Sequence, residues 1–304
     1  MPNWGELLRE VQQAGNAHDQ VRRKYLKRLS QRTGRNTILY YSAWLEKPII
    51  YGQHPQPLTV NDTDKNGFMS AIHGMDRKKG LDLVLHTPGG DLAAAESLVS
   101  YLRCMFGNDI RAIVPQLALS AGTMMACACK EIVMGKHSSL GPIDPQFGGL
   151  PAHGIVEEFN QAAEEIAADP AKIPVWQPII GKYNPTLIGE CQKAIIWAQT
   201  IVKDWLITGM FASSSAKEEK ADRVVQELGN HVLTLSHARH IEFDKAKEIG
   251  LKVTPLEADG QFQDALLTVH HLAVQTMAST PAVKLIENQK GIAYIQSMQA
   301  EPVY

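Results

Sequence analysis

Downstream of Asn36, short apolar runs rich in β-branched and aromatic residues alternate with longer stretches of helical periodicity. Thr37–Ala43 reads as a strand. It is followed by a helix over about Asp64–Arg77, a strand at Leu81–His86 and a helix over Asp91–Met105. A strand at Ile110–Val114, a helix over Ala121–Ala128 and a strand at Glu131–Met134 come next. Strands alternating with helices on short turns imply an α/β fold with a largely parallel sheet, whose ligands sit beyond the strand C-termini. Upstream, Gly5 to Arg32 reads as one long helix with Leu7, Leu8, Val11, Val21, Tyr25 and Leu29 against a neighbour. After Pro151 the pattern is mostly helical: Gly154–Ala168, Thr186–Leu206, Ala216–Leu228, a short helix at Asp244–Leu251 stopped by Gly250, and Gln261–Met277. Pro281–Tyr304 carries no pattern that places it. The expected organisation is therefore a helix at 1–33, a main domain at 34–280 and a C-terminal tail at 281–304.

Composition adds limits. The 304 residues are 44% hydrophobic with a formal net charge of -2, ample for a core and poorly suited to wholesale nucleic-acid binding. The start of the chain lacks the features of a signal peptide, and no run approaches the length of a membrane span, so a cytoplasmic protein is expected. Cys104, Cys127, Cys129 and Cys191 do not form a disulfide framework; all four are expected as buried thiols. Between Arg22 and Arg35 there are seven basic residues and no acid, suited either to an anionic membrane surface or protein partner, or simply to a solvated helix face. Asp62-x-Asp64-x-Asn66-Gly67 matches the opening of a calcium loop, but His73 stands where the bidentate Glu belongs. Helix capping is the expected role of those aspartates, and no metal or other cofactor is expected.

Two turns carry the chemistry. Thr87-Pro88-Gly89-Gly90-Asp91 and Leu119-Ser120-Ala121-Gly122-Thr123 each follow an apolar strand and open a helix. Glycines there can aim backbone N–H groups into a cleft at a helix N-terminus, and a serine at such a turn can act as a nucleophile facing an oxyanion hole. Taken alone, Ser120 could be only a helix N-cap and Gly89-Gly90 only a tight turn. A reactive serine also needs a proton acceptor. His137, His237, His240 and Lys182 are candidates that the pattern leaves open, the lysine only if its environment leaves it partly neutral.

These two segments, with Ser139-Leu140-Gly141-Pro142-Ile143-Asp144-Pro145-Gln146, resemble the serine dehydrogenase proteinase family, akin to signal peptide peptidase A within the ClpP/crotonase superfamily. The resemblance covers about Gly34 to Lys252. It implies a ClpP/crotonase-like spiral of ββα units, self-assembly into homo-oligomers, and serine peptidase chemistry on peptides or unfolded segments. Residue by residue it implies Ser120 as nucleophile, with Gly90 and the Ala121 N–H as oxyanion donors. Asp144 stands near where the ClpP branch has its histidine, which argues against a Ser-His-Asp triad and leaves Asp144, with Gly89, to position substrate or loop. The Ser–Lys dyad of signal peptide peptidases points to Lys182 as base, with Lys172 as fallback. A crotonase-like acyl-CoA enzyme and a catalytically idle scaffold recruiting a membrane or protein partner are the alternatives.

Overall fold

A computed structural model describes residues 3–15, 17–229 and 239–298. Its centre is a seven-stranded sheet of order β10-β5-β3-β2-β1-β11-β12. The strands are β1 (Asn36–Ser42), β2 (Leu81–His86), β3 (Ile110–Val114), β5 (Glu131–Met134), β10 (Val253–Pro255), β11 (Ala282–Asn288) and β12 (Ala293–Ser297). β1, β2, β3, β5 and β10 run parallel, while β11 is antiparallel to β1 and β12 antiparallel to β11. The α/β reading with a mostly parallel sheet holds.

All seven residues of β1 and all six of β2 are buried, as expected of strands covered on both faces. Alternate side chains divide between two cores. Ile38, Tyr40, Leu83, Leu85, Ala112 and Val114 face one layer, which includes α4 (Asp64–Ile72), α5 (Leu92–Phe106) and α6 (Ala121–Cys127). Leu39, Tyr41, Val84, Ile113 and Val133 face the other, built from α2 (His18–Thr33) and the Gly260–Ser279 helix. A smaller apolar cluster joins Phe147 to α7 (Ala152–Ala168) and α9 (Leu187–Thr208), which lie over the first layer's edge.

Two expectations are corrected. The single N-terminal helix is two, α1 (Trp4–Gln13) and α2, because the chain turns at Ala14 and at Gly15 with φ +68°. The tail is not separate, since its described part supplies β11 and β12. Arg22 on α2 is wholly buried and donates to Glu287 on β11 at 2.6 Å and to Thr276 at 2.8 Å. Helix and tail thus close on each other across the sheet. Arg23, Lys24, Arg32 and Arg35 also sit in ion pairs, while Lys24, Lys27 and Arg28 are exposed. Cys104 is exposed, unlike the other three cysteines. Among the described residues no helix is long and apolar enough to cross a membrane.

Candidate active site

The two special turns are sewn together by backbone. The Thr87 N–H donates to Leu117 at 3.1 Å and the Leu119 N–H donates to Thr87 at 3.0 Å, so the loop after β2 and the loop before α6 form one ledge at the strand C-termini. Ser120 sits on it with φ 49° and ψ -117°, a backbone conformation that L-residues rarely adopt. Such strain costs about 1–3 kcal/mol and persists only where the surroundings impose it. Although Ser120 occupies the N-cap position of α6, its hydroxyl makes no capping bond. It is half-buried and lines a cleft. The simple N-cap reading therefore fails on geometry.

The glycines make the close approach possible. A Cβ on Gly89 would lie 2.6 Å from the Ser120 Cβ and 2.7 Å from the Leu119 carbonyl oxygen, and one on Gly90 would lie 2.4 Å from both the N and the O of Val60. Val60 bridges the loop in parallel fashion: its N–H donates to Gly89 O at 2.8 Å and its carbonyl accepts from the Asp91 N–H at 2.9 Å. In such a bridge the middle residue's own N–H and C=O point the other way. The Gly90 amide is thereby turned off the Val60 edge, on a residue that lines the cleft together with Ala121. Asp91 caps α5 by accepting from the Ala94 N–H at 2.7 Å.

The cleft encloses about 470 Å³ and is walled by Tyr51, Met124, Ile143, Phe147 and Trp197. Burial raises the Tyr51 phenol, keeping it neutral. Asp91 and Asp144 are its carboxylates, with Asp144 buried, and among the described residues no lysine, arginine or histidine lines it. Ser120, Ala121, Gly89, Gly90 and Asp144 are therefore brought together.

The proposed bases are not among them. Lys182 is exposed in the turn after α8 (Ile173–Ile180), and Lys172 is paired with Glu165 at 3.2 Å. Neither belongs to the cleft lining. Both lie on helical connections whose packing the sequence pattern did not specify. His137 and His240 are exposed outside the lining, and His237 lies outside the described residues. His86, one residue before the first turn, projects to the opposite face of β2 against Tyr41, Trp44 and His270. Burial there pulls its pKa down to about 3, so it is neutral. Asp64 does not cap α4; its carboxylate sits in a buried ion pair with Lys284 at 2.6 Å. Among the described residues no three His, Cys, Asp or Glu side chains converge to hold a metal ion.

Val60 and Trp197 escaped the sequence reading. Val60 contributes only backbone, which leaves no side-chain signature. Trp197 lies within the helical pattern of Thr186–Leu206 and carries no signal that sets it apart from helix core, yet its side chain lines the cleft and its Nε1–H donates to Glu96 at 3.1 Å.

A family model described as ClpP-like SDH-type serine proteinase matches residues 10–290. Two proteins of Methanocaldococcus jannaschii, each named as uncharacterized, are similar to the chain. One is 32% identical over 196 residues, covering 64% of this chain and 60% of its own length. The other is 27% identical over 196 residues, covering 64% and 59% respectively. The chain thus matches about three fifths of the length of these curated relatives.

Proposed function

The chain belongs to the ClpP-like SDH-type serine proteinase family, and on that footing we propose that it hydrolyses peptide bonds through an acyl-enzyme formed on Ser120. The observation that carries this reading is the Ser120 turn itself: a strained serine with an uncapped hydroxyl, on a cleft wall beside Gly90 and Ala121. In the proposed reaction Ser120 Oγ bonds to the scissile carbonyl carbon as its proton passes to a base. The carbonyl π pair moves onto oxygen, where the Gly90 and Ala121 N–H groups receive it. Collapse of the tetrahedral intermediate breaks the C–N bond, the amine leaves with a proton, and water later releases the acyl group. Asp144, inside the same cleft, and Gly89, against Ser120, would position substrate and loop.

The likeness to the Ser–Lys dyad of signal peptide peptidases points to Lys182 as base, with Lys172 as fallback. Since Lys182 is exposed and outside the lining, that assignment requires the amine to be delivered to Ser120 by closure of the α7–α9 layer or by a second copy of the chain. Association into homo-oligomers is part of the proposal, and members of ClpP-like families commonly assemble. The test is hydrolysis of fluorescently labelled casein. Wild type is expected to cleave it and Ser120→Ala to leave it intact; hydrolysis retained by Ser120→Ala removes the reading.

A further inference from the structure

Beneath the first turn lies a charged cluster that the proposed chemistry does not use. Lys284 on β11 and Asp64 at the start of α4 are both wholly buried. Lys284 Nζ donates to Asp64 Oδ1 at 2.6 Å and to the Thr59 carbonyl oxygen at 2.7 Å. Asp64 Oδ2 accepts from the Tyr40 hydroxyl at 2.6 Å and from the Asn61 N–H at 3.1 Å. Removing two such charges from water is costly, and an apolar pair of equal volume often stabilises a core as well or better. The arrangement of this cluster is therefore better explained by what it holds than by the stability it adds.

It holds Gly89 by its carbonyl. Lys284 fixes the Thr59 carbonyl, and the next residue, Val60, donates its N–H to Gly89 O at 2.8 Å. The Tyr40 phenol steadies the carboxylate that holds Lys284, while the Gly89 N–H donates to Thr87 Oγ1 at 3.2 Å within the turn itself. Carbonyl and amide of one peptide neighbour are both pinned, and the following amide belongs to Gly90. Nonpolar substitutes for Lys284, Asp64 and Tyr40 could fill the volume but could not bind the Thr59 carbonyl or hold the amine that does. We infer that the Lys284–Asp64–Tyr40 cluster is a positioning network for the oxyanion loop, setting the direction of the Gly90 N–H through Thr59, Val60 and the Gly89 carbonyl. The inference rests on the peptidase reading. None of the three residues touches substrate.

The test is the rate at which a fluorophosphonate probe labels Ser120 in the full chain, with thermal unfolding followed in parallel. Tyr40→Phe keeps the ring stacked on Phe68 and removes only the oxygen. It is expected to slow labelling about 10-fold to 100-fold, the scale of an ångström-sized misplacement. On labelled casein the loss is expected in kcat with KM unmoved, since an oxyanion donor acts only in the transition state. Lys284→Met is expected to behave likewise; should it fail to fold, Lys284→Met with Asp64→Asn removes both charges together. Glu287→Gln weakens the other buried pair of β11, with Arg22, and is expected to lower the melting temperature yet label at the wild-type rate. Wild-type labelling with Tyr40→Phe and the Lys284 variants equally fast overturns the inference alone. A folded wild type that is not labelled on Ser120 overturns the peptidase reading and the inference with it. Slowing in Glu287→Gln as large as in Tyr40→Phe assigns the effect to general destabilisation and also overturns the inference.

Discussion

Replacing Gly90 by alanine perturbs the oxyanion loop with a single methyl group. The new Cβ would lie 2.4 Å from the Val60 N and 2.4 Å from the Val60 O, and 3.0 Å from the Thr59 Cβ. Two of those three atoms are backbone, so no side chain can swing aside, and Gly90 also has φ +152°, a conformation that L side chains rarely adopt. Relief requires the loop to back away from Val60 by about 1 Å, a misplacement that can cost about 100-fold on its own. If the Gly90 N–H loses its aim altogether, the loss is that of one oxyanion donor, about 100-fold to 1000-fold in kcat or roughly 3–4 kcal/mol of barrier. The Val60–Gly89 and Asp91–Val60 bonds weaken together, at about 1 kcal/mol each. Gly189 supplies a control, because a Cβ there meets nothing within 4 Å and the residue lies inside α9. Gly189→Ala is expected to add about 0.5–1 kcal/mol of stability with unchanged turnover. The assay is kcat and KM on labelled casein for both variants, beside their denaturation midpoints. A folded Gly90→Ala enzyme with kcat within about threefold of wild type would refute the assignment of this loop as the oxyanion hole.

Ser120→Gly relieves the positive φ and should raise stability by up to about 1 kcal/mol while abolishing hydrolysis; a urea midpoint below that of wild type would contradict the strain argument. His86 is held neutral by burial, with a pKa of about 3 against an ordinary 6.5. The unfolded chain therefore binds the extra proton, and the stability this group contributes is present above pH 6.5 and drains away as pH falls toward 3. For His86 alone the loss by pH 5 is about 2 kcal/mol. Comparison of urea midpoints at pH 7 and pH 5 measures it, and His86→Leu should flatten the difference. Arg22→Ala removes the buried one of the two arginines on Glu287, leaving the part-exposed Arg23, and should cost up to about 3 kcal/mol, read by thermal unfolding. Only Cys104 should react with a thiol reagent in the native protein, because burial raises Cys127 and Cys129 to about 12 and encloses Cys191. Modification of more than one cysteine by intact mass would contradict it.

Much of the site was legible because its chemistry depends on residue types with strong local signatures. Two glycines after a proline and a serine before Ala-Gly mark turns whatever the rest of the chain does, and strand–helix alternation sets those turns at one end of a parallel sheet. The edge of the sheet was illegible for a related reason. In β11, Lys284 and Glu287 occupy positions that look solvated, but each is buried against a partner over 200 residues away, Asp64 and Arg22. Long-range pairing of this kind leaves no trace in periodicity. Lys182 shows the converse limit: spacing to a motif selects a lysine but says nothing about how α7–α9 fold over the cleft. The calcium-like aspartates read as caps because a local role is the default for acidic residues at a helix start, whereas Asp64 serves a distant strand.

The central claim is that the Ser120 hydroxyl is a nucleophile, and intact-mass spectrometry after exposure to a fluorophosphonate, with the modified peptide sequenced, addresses it most directly. The account predicts one adduct per chain, carried by Ser120 and lost in Ser120→Ala. A folded protein that gains no mass, or gains it on another residue with Ser120 unmodified, contradicts it.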